Sequence, residues 1–175
     1  MVDISTFEPY LGFKFQVLIG ADRIGFQQVD GLHSVSAVVP YREGDMPIWV
    51  RKFPGLIEWQ PVTLQKGSSN STMLIDWRSE VAAYTQPGGE ARGTGKGDGS
   101  LPDLYRREVV IELLAKGNDS TPARRWTLKS AWPSELRLAP MNAMGNEPLI
   151  ETLVLQHEGM LIETLGGGGH PGETF

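Results

Sequence analysis

Apolar and polar side chains alternate along most of the chain. Phe13, Phe15, Val17 and Ile19 share one face of a segment whose other face carries Lys14 and Gln16, the period of two of a half-buried strand ending at Gly20. Ala21-Asp22 reads as a tight turn into a second short strand, Arg23 to Gln27, and Asp30-Gly31 as another turn before a strand from Ser34 to Val39. Further strands are predicted over Pro61 to Lys66, Arg107 to Ala115, Ala123 to Ala131 and Leu149 to Ile162, with Gly67, Gly117-Asn118-Asp119 and Asn142 to Asn146 as punctuation. One segment departs from this rhythm. From Ser71 to Tyr84, the apolar Leu74, Trp77, Val81 and Tyr84 recur at spacings of three and four, which predicts an amphipathic helix. Ser68 to Ser71 offer N-cap side chains, and Pro87-Gly88-Gly89 stops the helix. About seven short strands and one helix imply a mainly β fold, an antiparallel β-barrel or sandwich with one flanking α-helix.

Composition changes this picture in one respect. The 175 residues suit a single domain, but 21 Gly and 12 Pro exceed ordinary usage. Eleven of the glycines crowd into residues 85–103 and the tail from Gly166, so the body itself is ordinary. The expected organisation is one domain over residues 1–165 carrying a flexible Gly-rich insertion at 85–103, followed by a flexible Gly-rich tail at 166–175. The absence of cysteine excludes disulfide scaffolds, thiol catalysis, iron–sulfur clusters and cysteine zinc sites. There is no apolar run of membrane-spanning length, and MVDISTFEPY lacks the basic and apolar regions of a secretory signal, so neither feature is expected. A net charge of −5 argues against a dedicated nucleic-acid binder.

Candidate chemistry is thin. Gly95-Lys96 invites a phosphate-loop reading, but position 90 is Glu where that loop needs Gly, position 97 is Gly where it needs Ser or Thr, and a strand follows instead of a helix. His33, His157 and His170 have no partners at metal spacing, and no Gly-x-Ser-x-Gly elbow occurs. His157 is expected on the strand face of Leu153 and Leu155. Glu108, Glu112, Glu147, Glu151, Glu158 and Glu163 are read as a solvated sheet face rather than a paired-carboxylate hydrolase. Asn70-Ser71-Thr72 and Asn118-Asp119-Ser120 fit the glycosylation pattern but carry little weight without a signal. No catalytic residue, cofactor or metal site is expected.

The five tryptophans say more. Trp77 and Trp126 read as core. Trp49 lies in Met46-Pro47-Ile48-Trp49-Val50, a proline-interrupted loop between strands with Arg51 and Lys52 alongside, a composition suited to a partner interface. Trp49 and Trp59 also leave open a stand-alone β-barrel module that stacks sugars or single-stranded nucleic acid.

Two ordered blocks resemble the tail tube proteins of contractile-tail phages. Tyr41-Arg42-Glu43-Gly44-Asp45 leading to Arg51-Lys52-Phe53-Pro54-Gly55-Leu56 is similar to that family's "YREG…RKxPG" block, and Val62 to Gly67 resembles its "ITLKRG" strand end. Ala131-Trp132-Pro133, Asn142 to Glu147, Ile150 to Leu153 and His157-Glu158-Gly159 resemble "AWPxxY…LNAxGNExxIExLxLxHEGL". The resemblance runs from about Phe7 to Ile162.

It implies a non-enzymatic structural subunit: a barrel-like β fold that assembles as stacked hexameric rings forming the inner tube of a contractile phage tail or contractile injection system. Implied partners are further copies of the chain, a sheath, baseplate and spike proteins, a tube terminator, and DNA or protein cargo in the lumen. Implied location is a phage virion tail or injection particle, after synthesis in the bacterial cytoplasm. The insertion and tail, which the common tubes lack, leave room for a specialised tube-initiator or baseplate-adaptor subunit. The family's counterpart of the segment from Tyr41 to Leu56 is an extended hairpin or loop that reaches across subunits. Tyr41, Arg42, Glu43, Asp45, Trp49, Arg51, Lys52 and Phe53 are therefore the candidate inter-subunit contacts.

Overall fold

The computed structural model describes residues 11–42, 44, 49–85, 105–115, 121–165 and 173–174. Nearly all of the expected insertion and tail lies outside these residues. Eleven strands and one helix occur among the described residues, more strands than the alternation predicts because β3, β5 and β11 are added and the stretch from Leu149 to Ile162 divides into two strands. The strands are β1 (Phe15–Ile19), β2 (Asp22–Ile24), β3 (Gln28–Asp30), β4 (Ser34–Tyr41), β5 (Arg51–Trp59), β6 (Val62–Gly67), β7 (Arg107–Leu114), β8 (Pro122–Leu138), β9 (Ile150–Gln156), β10 (Gly159–Thr164) and β11 (Glu173–Thr174), and the helix α1 spans Met73–Thr85. The architecture is mainly antiparallel β with a single helix, as the alternation requires.

Nine strands form one sheet in the order β2-β1-β7-β8-β9-β6-β3, with β10 added to β8 and β11 to β10. Its spine is β8, a strand of 17 residues that changes partners along its length. Residues up to Ala131 pair with β7 and β10, whereas Trp132 to Leu138 pair with β9. Ser130 sits at the changeover with φ of 52°, a left-handed conformation unusual for a residue with a Cβ, and a bulge follows between Pro133 and Glu135. These irregularities let one continuous strand serve both halves of a curled sheet. Trp126 and Trp132 are both within β8, which continues beyond the strand predicted over Ala123 to Ala131.

The core is the inward row of each strand. Val17, Ile19, Val62, Leu64, Val109, Ile111, Leu128, Leu153, Leu155 and Met160 are buried together, and Leu74 and Trp77 of α1 complete the cluster. Trp77 is fully buried, its indole Nε1 donates to the carbonyl of Tyr105 at 2.6 Å, and the Arg107 guanidinium lies 5.2 Å from its ring centroid. Trp126 is only partly buried and packs against the cluster rather than within it. Two ends of predicted stripes fall outside the core. Phe13 precedes β1 and is exposed, and Tyr84, on the last turn of α1, is also exposed and stacks on Tyr105 with ring centroids 4.8 Å apart.

Not all carboxylates lie on a solvated face. Glu112 and Glu151 are buried. Glu151 accepts from Ser68 Oγ at 2.6 Å and faces Lys66 Nζ at 3.5 Å, with Lys66 itself buried and donating to Ser69 Oγ. Glu112 faces Arg125 at 2.7 Å, and Arg125 also reaches Glu163 at 3.5 Å. Glu151 is on the inward row of β9 with Leu153, whereas Glu112 is on the face of β7 opposite Val109 and Ile111, where Gln16 and Arg125 from the flanking strands engage it; period-two reading sees neither partner. Among the described residues no helix is long and apolar enough to cross a membrane.

Candidate assembly surface

The remaining two strands stand apart. β4 and β5 form their own two-stranded antiparallel sheet, with Ser34 opposite Trp59 at its root and Tyr41 opposite Arg51 at its far end. The alternation predicts β4 but not β5; Trp49 and Val50, read as part of a loop, precede β5 and belong to no strand. Pro40 and Pro54 are compatible with this pairing because each strand of a two-stranded ribbon keeps one free edge, where a missing N–H breaks no ladder. A bulge between Ser36 and Val38 relieves the register, and Gly55 lies close against Ala37 there.

The root is tied to the body in a defined way. Asp30 Oδ1 accepts from the Gly31 amide at 2.8 Å, and Gly31 adopts φ of 89°. A Cβ at Gly31 would overlap the carbonyl oxygen of Pro61, so the approach of the incoming and outgoing chains requires glycine twice over. Gln60 N donates to the His33 carbonyl at 3.3 Å. The Trp59 and His157 rings lie 5.9 Å apart, placing His157 beside the root. His157 sits in the turn after β9 rather than on the strand, with Nδ1 3.1 Å from the Gly159 carbonyl. Burial pushes its pKa below the ordinary value, and the nearby carbonyls of Gly159 and Gln60, which favour the protonated ring, offset this only in part.

Beyond its root the hairpin has little apolar cover. Every residue of β4 is exposed, and on β5 only Gly55 and Trp59 are partly buried. Val35, Val38, Val39, Tyr41, Phe53, Leu56 and Ile57 present large apolar side chains to solvent, Leu56 at 87% exposure. Trp49 and Val50 continue the apolar surface toward the tip. Of the eight candidate contacts, Tyr41, Arg42, Trp49, Arg51, Lys52 and Phe53 gather at the outer end of this hairpin, and Tyr41 meets Phe53 edge to face at 5.9 Å. Glu43 and Asp45 lie outside the described residues. The sequence reading missed Val35, Val38, Val39, Leu56 and Ile57. Their signal is Val38-Val39 and Leu56-Ile57, consecutive apolar pairs that place apolar groups on both faces of a strand.

The best-formed depression, of about 330 Å³, is shallow and lined by Leu18, Glu108, Glu112, Arg125 and Glu163 among others. Its carboxylates Glu112 and Glu163 are engaged by Arg125, whose pKa is held above its ordinary value first by the Glu112 hydrogen bond, against the opposing effect of burial. Glu147 is on an exposed loop, and Glu151 is paired with Lys66. Among the described residues no group of three or more His, Asp or Glu could hold a metal ion.

The described residues thus combine a closed β body with an exposed apolar ribbon. The chain belongs to the T4-like virus tail tube protein gp19 family, whose model matches residues 11–161, and it is a structural subunit of the tail-tube type. Solved structures share the fold. A chain of the sheath–tube complex of an extracellular contractile injection system, PVC, in its extended state superimposes with a TM-score of 0.72 at 20% identity, covering 94% of this chain and 100% of that one. A chain from the tube terminating cap of the anti-feeding prophage gives 0.73 at 21% identity, covering 93% and 95%. A chain from that prophage's baseplate gives 0.71 at 23% identity, covering 91% and 99%. No curated protein sequence matches the chain.

Proposed function

We propose that the chain assembles as hexameric rings that stack into the inner tube of a contractile phage tail or injection system, with the β4–β5 hairpin reaching across the subunit boundary. The hairpin is the observation that carries this reading. A two-stranded ribbon is marginal in water on its own, and this one exposes large apolar side chains together with two open strand edges. Open edges and apolar surface are liabilities unless another chain consumes them. In a head-to-tail stack of rings the donor surface of one copy meets a different surface of a copy in the next ring, so a single projecting element per subunit suffices.

Family membership supports the tube role, and the sources of the matching folds support the company it keeps: a sheath, a baseplate and a terminating cap. The channel then carries DNA or protein cargo, and the subunit does its work in the assembled particle after synthesis in the bacterial cytoplasm. Electron microscopy of the concentrated protein tests this. Six-fold rings or stacked tubes are expected from the native chain, and particles that stay monomeric at every concentration and salt tested would overturn it.

A further inference from the structure

The sheet half formed by β3, β6, β9 and the end of β8 has two differently equipped ends. The hairpin root lies at one of them, since β5 leads through Gln60 and Pro61 into Val62, which pairs with Leu155. At the other end, Gly67 pairs with Ile150, and the loop of residues 139–149 joins β8 to β9. The two ends are separated by the β6 ladder, about 17 Å at ~3.3 Å per residue.

That loop is built rather than loose. Its ends are held by Ala139 N donating to the Ile150 carbonyl and Ser68 N donating to the Leu149 carbonyl, both at 2.8 Å. Within it, Asn142 Oδ1 accepts from Met144 N at 3.0 Å, and the Asn142 carbonyl accepts from Gly145 N at 3.1 Å. The turn so formed presents Met141 at 78% and Met144 at 97% exposure, and Leu138, the last residue of β8 before the loop, is half exposed. Single exposed apolar residues are ordinary on protein surfaces, but a cluster on one ordered loop is not. Methionine is also the side chain best able to conform to an irregular partner.

We infer that this Leu138–Met141–Met144 surface receives the β4–β5 hairpin of a neighbouring copy in the adjacent ring. The inference rests on the hairpin reading above and names the other half of that contact. Three features fit the two surfaces to each other. They sit at opposite ends of the same sheet half, the arrangement a repeating head-to-tail stack requires. From Ser34 to Tyr41 the hairpin extends about 23 Å at ~3.3 Å per residue, enough to leave its own subunit. Their charges are complementary. Over residues 41–52 Arg42, Arg51 and Lys52 outnumber Glu43 and Asp45, whereas Glu147 is the sole charged residue of 139–149 and is exposed. The adjacent Arg137 is occupied by Glu135 at 3.4 Å.

The lack of native cysteine makes cross-linking a direct test. A chain carrying Trp49→Cys and Met144→Cys, assembled and then oxidised or treated with a short bis-maleimide, is expected to give a covalent ladder of head-to-tail oligomers. A control chain pairing Trp49→Cys with Ser79→Cys on the exposed face of α1 is expected to give none. In the cysteine-free chain, Met141→Asp with Met144→Asp should raise the concentration needed for tube formation at least tenfold, about the effect of losing one well-buried apolar contact. Its thermal midpoint should stay unchanged. Tubes that form normally in the double-aspartate variant, or a ladder as strong from the control pair, overturn the receiving surface and leave the hairpin reading standing. Failure of the native chain to form either rings or tubes overturns both.

Discussion

The sheet body and the β4–β5 hairpin use the same ingredients to opposite ends. Both are antiparallel strands rich in Val, Leu and Ile. In the body each apolar row faces α1 or an opposing strand, and Val17, Val62, Leu64, Val109, Leu128 and Leu155 are essentially inaccessible. In the hairpin Val38 and Leu56, at 62% and 87% exposure, face solvent. Burial is therefore set by what lies across from a strand and not by the strand's composition. The body completes its cover within one chain, whereas the hairpin's cover must come from another.

This contrast orders the expected effects of mutation. The largest belongs to Trp77→Ala, which empties the centre of the body and removes the hydrogen bond to Tyr105. A loss of about 3–5 kcal/mol is expected in urea unfolding. Next comes Lys66→Ala, which strands the buried Glu151 carboxylate. About 3 kcal/mol or more is expected from denaturant midpoints, with most of it recovered when Glu151→Leu is added to Lys66→Met, because removing both charges removes the desolvation penalty.

Hairpin changes should behave in the reverse manner. Leu56→Ser is expected to alter monomer stability by no more than about 0.5 kcal/mol, while sedimentation shows a marked loss of rings and tubes. A comparable loss of monomer stability would mean that the hairpin packs on its own body, and the contrast would collapse. Gly31→Ala separates the two regions at their joint. Strain at a positive φ costs about 1–3 kcal/mol before the overlap with Pro61 is relieved, and the displaced root should weaken assembly as well.

The smallest effect is the pH response of His157. Its folded-state pKa lies below the unfolded value, so the unfolded chain binds the proton more readily. The stabilisation is fully present above the unfolded pKa, about 6.5, and is lost as pH falls through the lower folded value. The thermal midpoint should therefore drop more between pH 7.5 and 5.5 in the native chain than in His157→Gln.

Much of the body was legible because period-two alternation and the Leu74–Trp77–Val81 spacing follow directly from strand and helix geometry. The misreadings share one cause. No strand is predicted over Arg51 to Trp59, where Pro54 interrupts the alternation, yet a ribbon with free edges tolerates proline at Pro40 and Pro54. Glu112 and Glu151 read as solvated, yet Arg125 and Lys66 meet them across strand pairings that local spacing does not reveal. Tyr41, Arg51, Lys52 and Phe53 come together through one antiparallel register, with Arg42 and Trp49 just beyond its outer end.

By itself, the amino-acid sequence determined the element types, the tail-tube family and the absence of any thiol chemistry, since these depend on side-chain periodicity, ordered motifs and residue content. Only the tertiary structure decided which apolar rows are covered. That depends on pairings between residues far apart in the chain, such as Val62 with Leu155 and Trp132 with Gln156, and on the turn at Gly31 that sets β4 and β5 apart from the sheet. The Met141–Met144 loop and the hairpin root are far apart in sequence, and the β6–β9 ladder places them at its two ends.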